Sequence, residues 1–406
     1  MNRQCTNIKE WLPLIGITIS AFIFNTAEFI PIGLLVNIAS SFNISETHAG
    51  LLISVYALGV ATLSLPLMIL FSKTEYRKLL FCVIGFFVVN HIVAAISNNF
   101  ILVLLSRIGV ACSHAIFWSI VSPLAVIIAP KGKDTVALGM VASGTSIAMI
   151  AGLPLGRIIG LYWGWRMSFF SIAVASFLTL LLLFFCFPKV PNQQRIHIKE
   201  LSSLFKNKQL IALNIFTYLA VTAHYTTYSY IEPYLLETEL ISDRLITIIL
   251  MLFGLAGIGG SILFACKFTQ YTKRFILFPI VVIACLLILM QLFSIHPYAI
   301  IFLCIVWGMT ITIFNLVSQA LVIRFAPQAT IIAMALFSSI YNIGIGSGSI
   351  IGGAVETLTS IHYIGYAGGM IAIIAFIFNK QKIISLLDKQ TSKQKNYEQT
   401  YSNAES

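Results

Sequence analysis

Twelve apolar runs, separated mostly by short polar gaps, constrain this chain more than any other feature of it. They fall at roughly 12–37, 48–71, 79–97, 100–128, 135–160, 165–187, 209–235, 244–266, 275–294, 298–325, 330–356 and 362–384. A helix needs about 20 apolar residues to cross a bilayer core. Backbone N–H and C=O groups find no water in lipid, so spanning segments must be helices or closed barrels. Barrel strands would read as alternating segments of about ten residues, and the runs do not alternate. The chain is therefore expected to be an all-α polytopic membrane protein with twelve transmembrane helices. Composition agrees, with 58% hydrophobic and only 10% charged residues and a mean hydropathy of +0.93. A soluble globule could not hide that much apolar surface.

The longest polar gap, 188–208, divides the runs six and six. The reading is an N-terminal half at 1–187, a central loop at 188–208 and a C-terminal half at 209–384. A polar tail at 385–406 is expected to be disordered. With the N-terminus inside, the termini and even-numbered gaps hold 21 of the 25 basic residues. Arg166 and Arg244 alone sit in outer gaps, near Glu46, Glu237, Glu239 and Asp243. That asymmetry predicts both termini in the cytoplasm. It also explains the +11 net charge without nucleic acid, as a topological and lipid-surface signal. The seven cysteines are dispersed, with no CxxC pair, so no disulfide framework or zinc site is expected.

The halves resemble each other weakly. Ala129-Pro130 matches Ala326-Pro327, and Ala148, Gly152 and Gly156 in run five correspond to Gly344, Gly348 and Gly352 in run eleven. Small residues every four positions let a neighbouring helix approach closely. Two related halves with a site between them is a transporter plan.

Twelve helices, the six-plus-six split and a basic central loop resemble the major facilitator superfamily. Ser106 to Ala111 is similar to its helix-four motif with a buried Arg, here Arg107. Gly152 to Gly160 is similar to its Gly- and Pro-rich antiporter motif, and Gly164 to Phe170 to the junction before helix six in the drug:proton antiporter branch. Segments 21–29, 114–119, 222–233 and 342–348 resemble the SotB-type sugar efflux transporters. The loop at 71–79 departs from the superfamily pattern: Arg77 and Lys78 remain, the usual Gly and Asp do not, and Glu75 is the available substitute. The resemblance implies the superfamily's fold in two pseudo-symmetric halves. It also implies proton-coupled export of sugars such as arabinose or thiogalactosides, from a bacterial cell inner membrane. Expected partners are a small sugar, protons and the bilayer, with no nucleic acid, no cofactor and a monomeric chain.

Charges at membrane depth are costly and call for a partner or a function. Glu28, Arg107, His114 and His224 qualify. At 1.5 Å per residue Glu28 lies about 12 Å below the outer end of its helix and Arg107 about 10 Å down helix four. An ion pair is within reach, and Glu28 with Arg107 is the candidate proton-coupling set; a static structural pair is the alternative. His114 shares a face with Arg107 and with Trp118. His224, Tyr228 and Glu232 share another, and Glu232, just before Pro233, reads as a gate or cap. Asn25, Tyr56, Asn315, Gln319 and Asn342 complete the polar set. The expected sugar site lies between helices one, four, seven, ten and eleven, lined by Asn25, His114, Trp118, His224, Tyr228, Asn315 and Asn342. Core imidazoles and interhelical amide contacts are the bland alternatives. Gly152, Pro154 and Gly156 are candidate gating positions, because Pro removes a helix hydrogen bond and can hinge the helix. Competing functions are a multidrug antiporter, a passive channel and a membrane-embedded enzyme; no Walker A, HExxH or GxSxG motif supports an enzyme.

Overall fold

The computed structural model describes residues 8–71, 73–190, 204–237, 241–268, 270–293, 296–327 and 330–385. The loop stretch 191–203, Glu239 and the tail from 386 lie outside the described residues. Every regular element among the described residues is helical. Helix α1 runs Ile8–Phe29, passes through a 3-10 turn at Ile30–Leu34 and ends as Leu35–Phe42. Then come α2 (Glu46–Leu70), α3 (Tyr76–Ile96) and α4 (Phe100–Ile128). Helix α5 joins Asp134–Ile147 to Leu153–Trp163 through a π-turn at Ala148–Gly152, and α6 is Trp165–Cys186. In the second half α7 comprises Lys208–Tyr228 and Ile231–Leu236, α8 is Asp243–Lys267 and α9 is Thr272–Leu292. Helices α10 (Pro297–Phe325) and α11 (Thr330–Leu358) follow, and α12 is built on Ile364–Phe378.

Among the described residues, eleven helices are long and apolar enough to cross a membrane. The twelfth, α7, is the polar one. Asn214, Thr217, Thr222, His224, Thr226 and Thr227 lower its hydropathy, and all six are buried inside the bundle. A helix enclosed by other helices meets protein rather than lipid, so it can carry polar groups. The breaks follow the prolines. Pro31, Pro154 and Pro233 each lack the N–H that would bond four residues back. They sit beside the 3-10 turn of α1, the π-turn of α5 and the interruption of α7 at Ser229–Tyr230.

The halves share one packing device. Gly152 and Gly156 of α5 seat on Thr26 and Ile30 of α1, and Gly348 and Gly352 of α11 seat on Thr222 and Thr226 of α7. A Cβ at Gly348 would lie 2.7 Å from the Thr222 carbonyl oxygen. The fifth and first helices of each half are therefore close-packed through glycine, in the register the sequence repeat predicts.

Two apolar cores result. One is confined to the first half; the other fills the second half and takes in Ile32, Leu35, Ala49, Ile53 and Leu153 from the first. Those borrowed residues mark the seam. There α2 packs on α11, α5 on α8, and the 3-10 turn and last segment of α1 on the short segment of α7. Thr47 Oγ1 bonds the Glu356 carboxyl at 2.9 Å, Ser349 Oγ donates to the Gly50 carbonyl at 3.4 Å, and Gly254 lies against the backbone at Met149 and Ile150. The Thr47 and Ser349 contacts lie toward the end of the bundle away from the termini, the distal end, and the Gly254 contact lies near mid-span. Toward the terminal end, α2, α5 and α11 carry exposed Thr62, Ser143, Ser146 and Ser338.

Candidate functional site: a titratable cluster, an aromatic shell and a distal tie

The first half concentrates its buried charge where α1, α2 and α4 meet. Pro31 leaves the Ala27 carbonyl without its helical donor. Arg107, fully buried, takes that carbonyl through Nη1 at 3.0 Å. It also donates to the carbonyls of Glu28 and Leu52, both at 3.3 Å, and its guanidinium lies 4.1 Å from the centre of the Tyr56 ring. The expected ion pair is thus replaced: Arg107 spends its donors on backbone carbonyls. The Glu28 carboxylate instead faces His114, Oε2 to Nε2 at 3.7 Å. The other imidazole nitrogen, Nδ1, bonds the Tyr56 hydroxyl at 2.5 Å. Trp118 packs beside the His114 ring, centroids 5.8 Å apart. Glu28 keeps 11% of its side chain exposed.

The second half carries a different site. His224 stacks on Tyr228 with centroids 5.0 Å apart, and Tyr228 stacks on Phe253 at 4.8 Å. Trp307 stands edge-on to all three. His224 and Tyr228 are both buried in this shell. Among the described residues, His224 Nδ1 and Trp307 Nε1 are buried with no hydrogen-bond partner.

The amides are engaged locally. Asn25 donates to the Thr145 carbonyl of α5 at 3.3 Å, Gln319 donates to Asn315 one turn back at 3.0 Å, and Asn342 donates to the Ser338 carbonyl at 3.0 Å. The structure therefore groups Glu28, Tyr56, Arg107, His114 and Trp118 in one cluster and His224 with Tyr228 in another. Asn25, Asn315 and Asn342 make these hydrogen bonds to residues outside both clusters. Among the described residues, Asn342 alone of these three leaves a buried oxygen unpartnered.

At the distal end Arg157 ties the halves. It is fully buried and donates to the Gly33 carbonyl at 2.5 Å, to Thr247 Oγ1 at 3.2 Å and to Asp243 Oδ1 at 2.8 Å. It also pairs with the buried carboxylate of Glu232, whose other oxygen accepts from the Val36 N–H at 3.4 Å. Glu232 thus sits at the distal seam, immediately before Pro233. The sequence reading leaves Arg157 inside the glycine-proline segment. A charge in the middle of an apolar run is the signal that finds it. Phe253 and Trp307 carry no such signal, because an aromatic in an apolar run reads as lipid-facing or core. The loop before α3 stays within its own half, with Arg77 donating to the Phe184 carbonyl at 3.0 Å.

Two six-helix halves, joined at one end and enclosing buried ionisable groups, define a membrane transporter rather than an enzyme. Residues 17–331 match the sequence model of the Major Facilitator Superfamily, and the chain belongs to that superfamily. It is similar to two solved structures of a bacterial homolog to the human lysosomal transporter Spinster. The inward-facing, unoccupied form aligns at a TM-score of 0.73 over 94% of this chain and 98% of that one, at 13% identity. The inward-facing, occupied form aligns at 0.68 over 91% and 96%, at 14% identity. At these identities the likeness is one of fold.

Proposed function

We propose that the chain is a proton-coupled secondary transporter that exports sugars or sugar-like solutes by alternating access. It would work from a bacterial inner membrane with both termini in the cytoplasm. The observation that carries the reading is the buried Glu28–His114 contact beside a fixed Arg107. A carboxylate can gain and lose a proton, whereas an Arg beside it cannot. Burial and a nearby cation act on it in opposite directions, so its proton affinity follows the opening of the cavity. Glu28 is then the proton carrier. Asn25 and Asn342 supply hydrogen bonds and Trp118 a ring face to a sugar, with His114, Asn315, His224 and Tyr228 as further candidates. The Arg157–Glu232 pair serves as the distal gate. The π-turn at Gly152, with Pro154 and Gly156, is the point where α5 bends.

Export of lipophilic drugs is the second reading, and the aromatic shell of His224, Tyr228, Phe253 and Trp307 favours it. Inside-out vesicles decide between them. Labelled arabinose, a thiogalactoside and a cationic dye are each followed with and without an uncoupler. Uncoupler-sensitive uptake of the sugars supports the first reading; uptake of the dye alone supports the second. Uptake insensitive to the uncoupler overturns proton coupling.

A further inference from the structure

We infer that Tyr56 is the positioning residue that sets which nitrogen of His114 faces Glu28. The inference rests on the proton-coupled reading above. The imidazole is held between two groups from different helices: the Tyr56 hydroxyl lies 2.5 Å from Nδ1, and Glu28 Oε2 lies 3.7 Å from Nε2. A neutral imidazole carries one N–H, and its place is set by the bond at the other nitrogen. With the Tyr56 O–H donating to Nδ1, the proton sits on Nε2 and points at the carboxylate. The opposite tautomer would set a lone pair of Nε2 against the carboxylate oxygens. Tyr56 is itself fixed. It is buried at 2% exposure, and the Arg107 guanidinium covers its ring at 4.1 Å.

Arg107 is anchored in turn by carbonyls of α1 and α2. The line from Arg107 through Tyr56 and His114 to Glu28 therefore joins three helices of one half. It carries the position of α2, a helix of the distal seam, to the group proposed to bind the proton. The titratable groups that face this line are Glu28 on α1, Tyr56 on α2, Arg107 and His114 on α4, His91 on α3, and Tyr225 and Tyr341 from the second half. His91 turns its Nδ1 to the Phe87 carbonyl at 2.9 Å and leaves the line to the other groups.

Tyr56→Phe tests the assignment, because the ring stays under Arg107 and only the hydroxyl is removed. Gradient-driven sugar efflux in proteoliposomes is expected to fall by up to about tenfold, the scale of one lost buried hydrogen bond, and by more than gradient-free exchange falls. The pH profile of efflux is expected to move with it. Nitrogen-15 NMR of histidine-labelled protein gives an independent readout. The His114 signals, identified by their loss in His114→Gln, should show protonated Nε2 in the wild type and a tautomer mixture in Tyr56→Phe. Equal loss of efflux and exchange, with an unchanged tautomer, makes Tyr56 a packing residue and overturns the inference. An unaltered variant overturns it as well. Wild-type efflux without proton dependence contradicts the functional reading instead, and the NMR comparison still decides the role of Tyr56.

Discussion

Glu28 and His224 occupy equivalent places in the two halves. Thr26 sits on Gly152 and Thr222 on Gly348, and each ionisable residue comes two positions later. Around Glu28 the first half gathers a phenol, an imidazole and an anchored guanidinium. Around His224 the second half gathers Tyr228, Phe253 and Trp307. One backbone plan, with the same glycine contacts, supports a polar cluster in one half and a buried aromatic shell in the other. The lesson is that the glycine register fixes where the first and fifth helices meet, while the chemistry at the meeting point is set by the side chains that neighbours project into it. In the proposed cycle the first half handles the proton, and both halves contribute residues to the sugar site.

The largest effect should come from cutting the tie that lets the halves act together. Arg157→Met leaves the Glu232 carboxylate buried and unpaired, and breaking such a pair costs about 3–5 kcal/mol. A large drop in thermal stability in detergent is expected, with most of it recovered in Arg157→Met/Glu232→Met. No recovery would mean that Arg157 acts through Gly33 and Thr247 rather than through the carboxylate. Next comes the aromatic shell. Trp307→Ala removes a ring that touches His224, Tyr228 and Phe253, at a cost of about 3 kcal/mol or more. A stability close to wild type would show that the shell is not a packed core and would break the contrast drawn here.

Smaller effects sharpen the contrast. Tyr228→Phe keeps the stack and removes the hydroxyl. It should be nearly silent in stability, and any loss of sugar affinity measured by calorimetry would move Tyr228 from the shell to the binding wall. Asn342→Ala removes the buried oxygen that lacks a partner. Sugar affinity should fall by about 0.5–1.5 kcal/mol, up to about tenfold, while the protein stays folded. Unchanged affinity would take Asn342 out of the site.

Much of the fold was legible in the residues. Run 100–128 coincides with α4, and the other spans start and stop within a few residues of the apolar runs. Length and hydropathy decide such boundaries, and both are local properties. The glycine register was legible for the same reason, since a stripe every four residues needs one helix only. The partners of Glu28 and Arg107 were not. Equal depth made them candidates for each other, but depth does not say which acceptor a guanidinium meets first. Pro31 freed the Ala27 carbonyl, and Arg107 took it. Arg157 illustrates the converse: its partners come from α1, α7 and α8, and no spacing within α5 points to them. The immediate neighbours of His114 and His224 were not legible for a related reason: they come from other helices, Tyr56 on α2 for the first and Phe253 and Trp307 on α8 and α10 for the second.

The central claim is that Glu28 carries the coupling proton. It is tested most directly by Glu28→Gln in proteoliposomes, with gradient-driven sugar efflux and gradient-free counterflow measured on the same preparation. The amide keeps the shape of the side chain and removes its titration. The account predicts that counterflow persists while gradient-driven efflux falls to the level seen with an uncoupler. Normal gradient-driven efflux in Glu28→Gln would contradict it and make the Glu28–His114 contact a structural one.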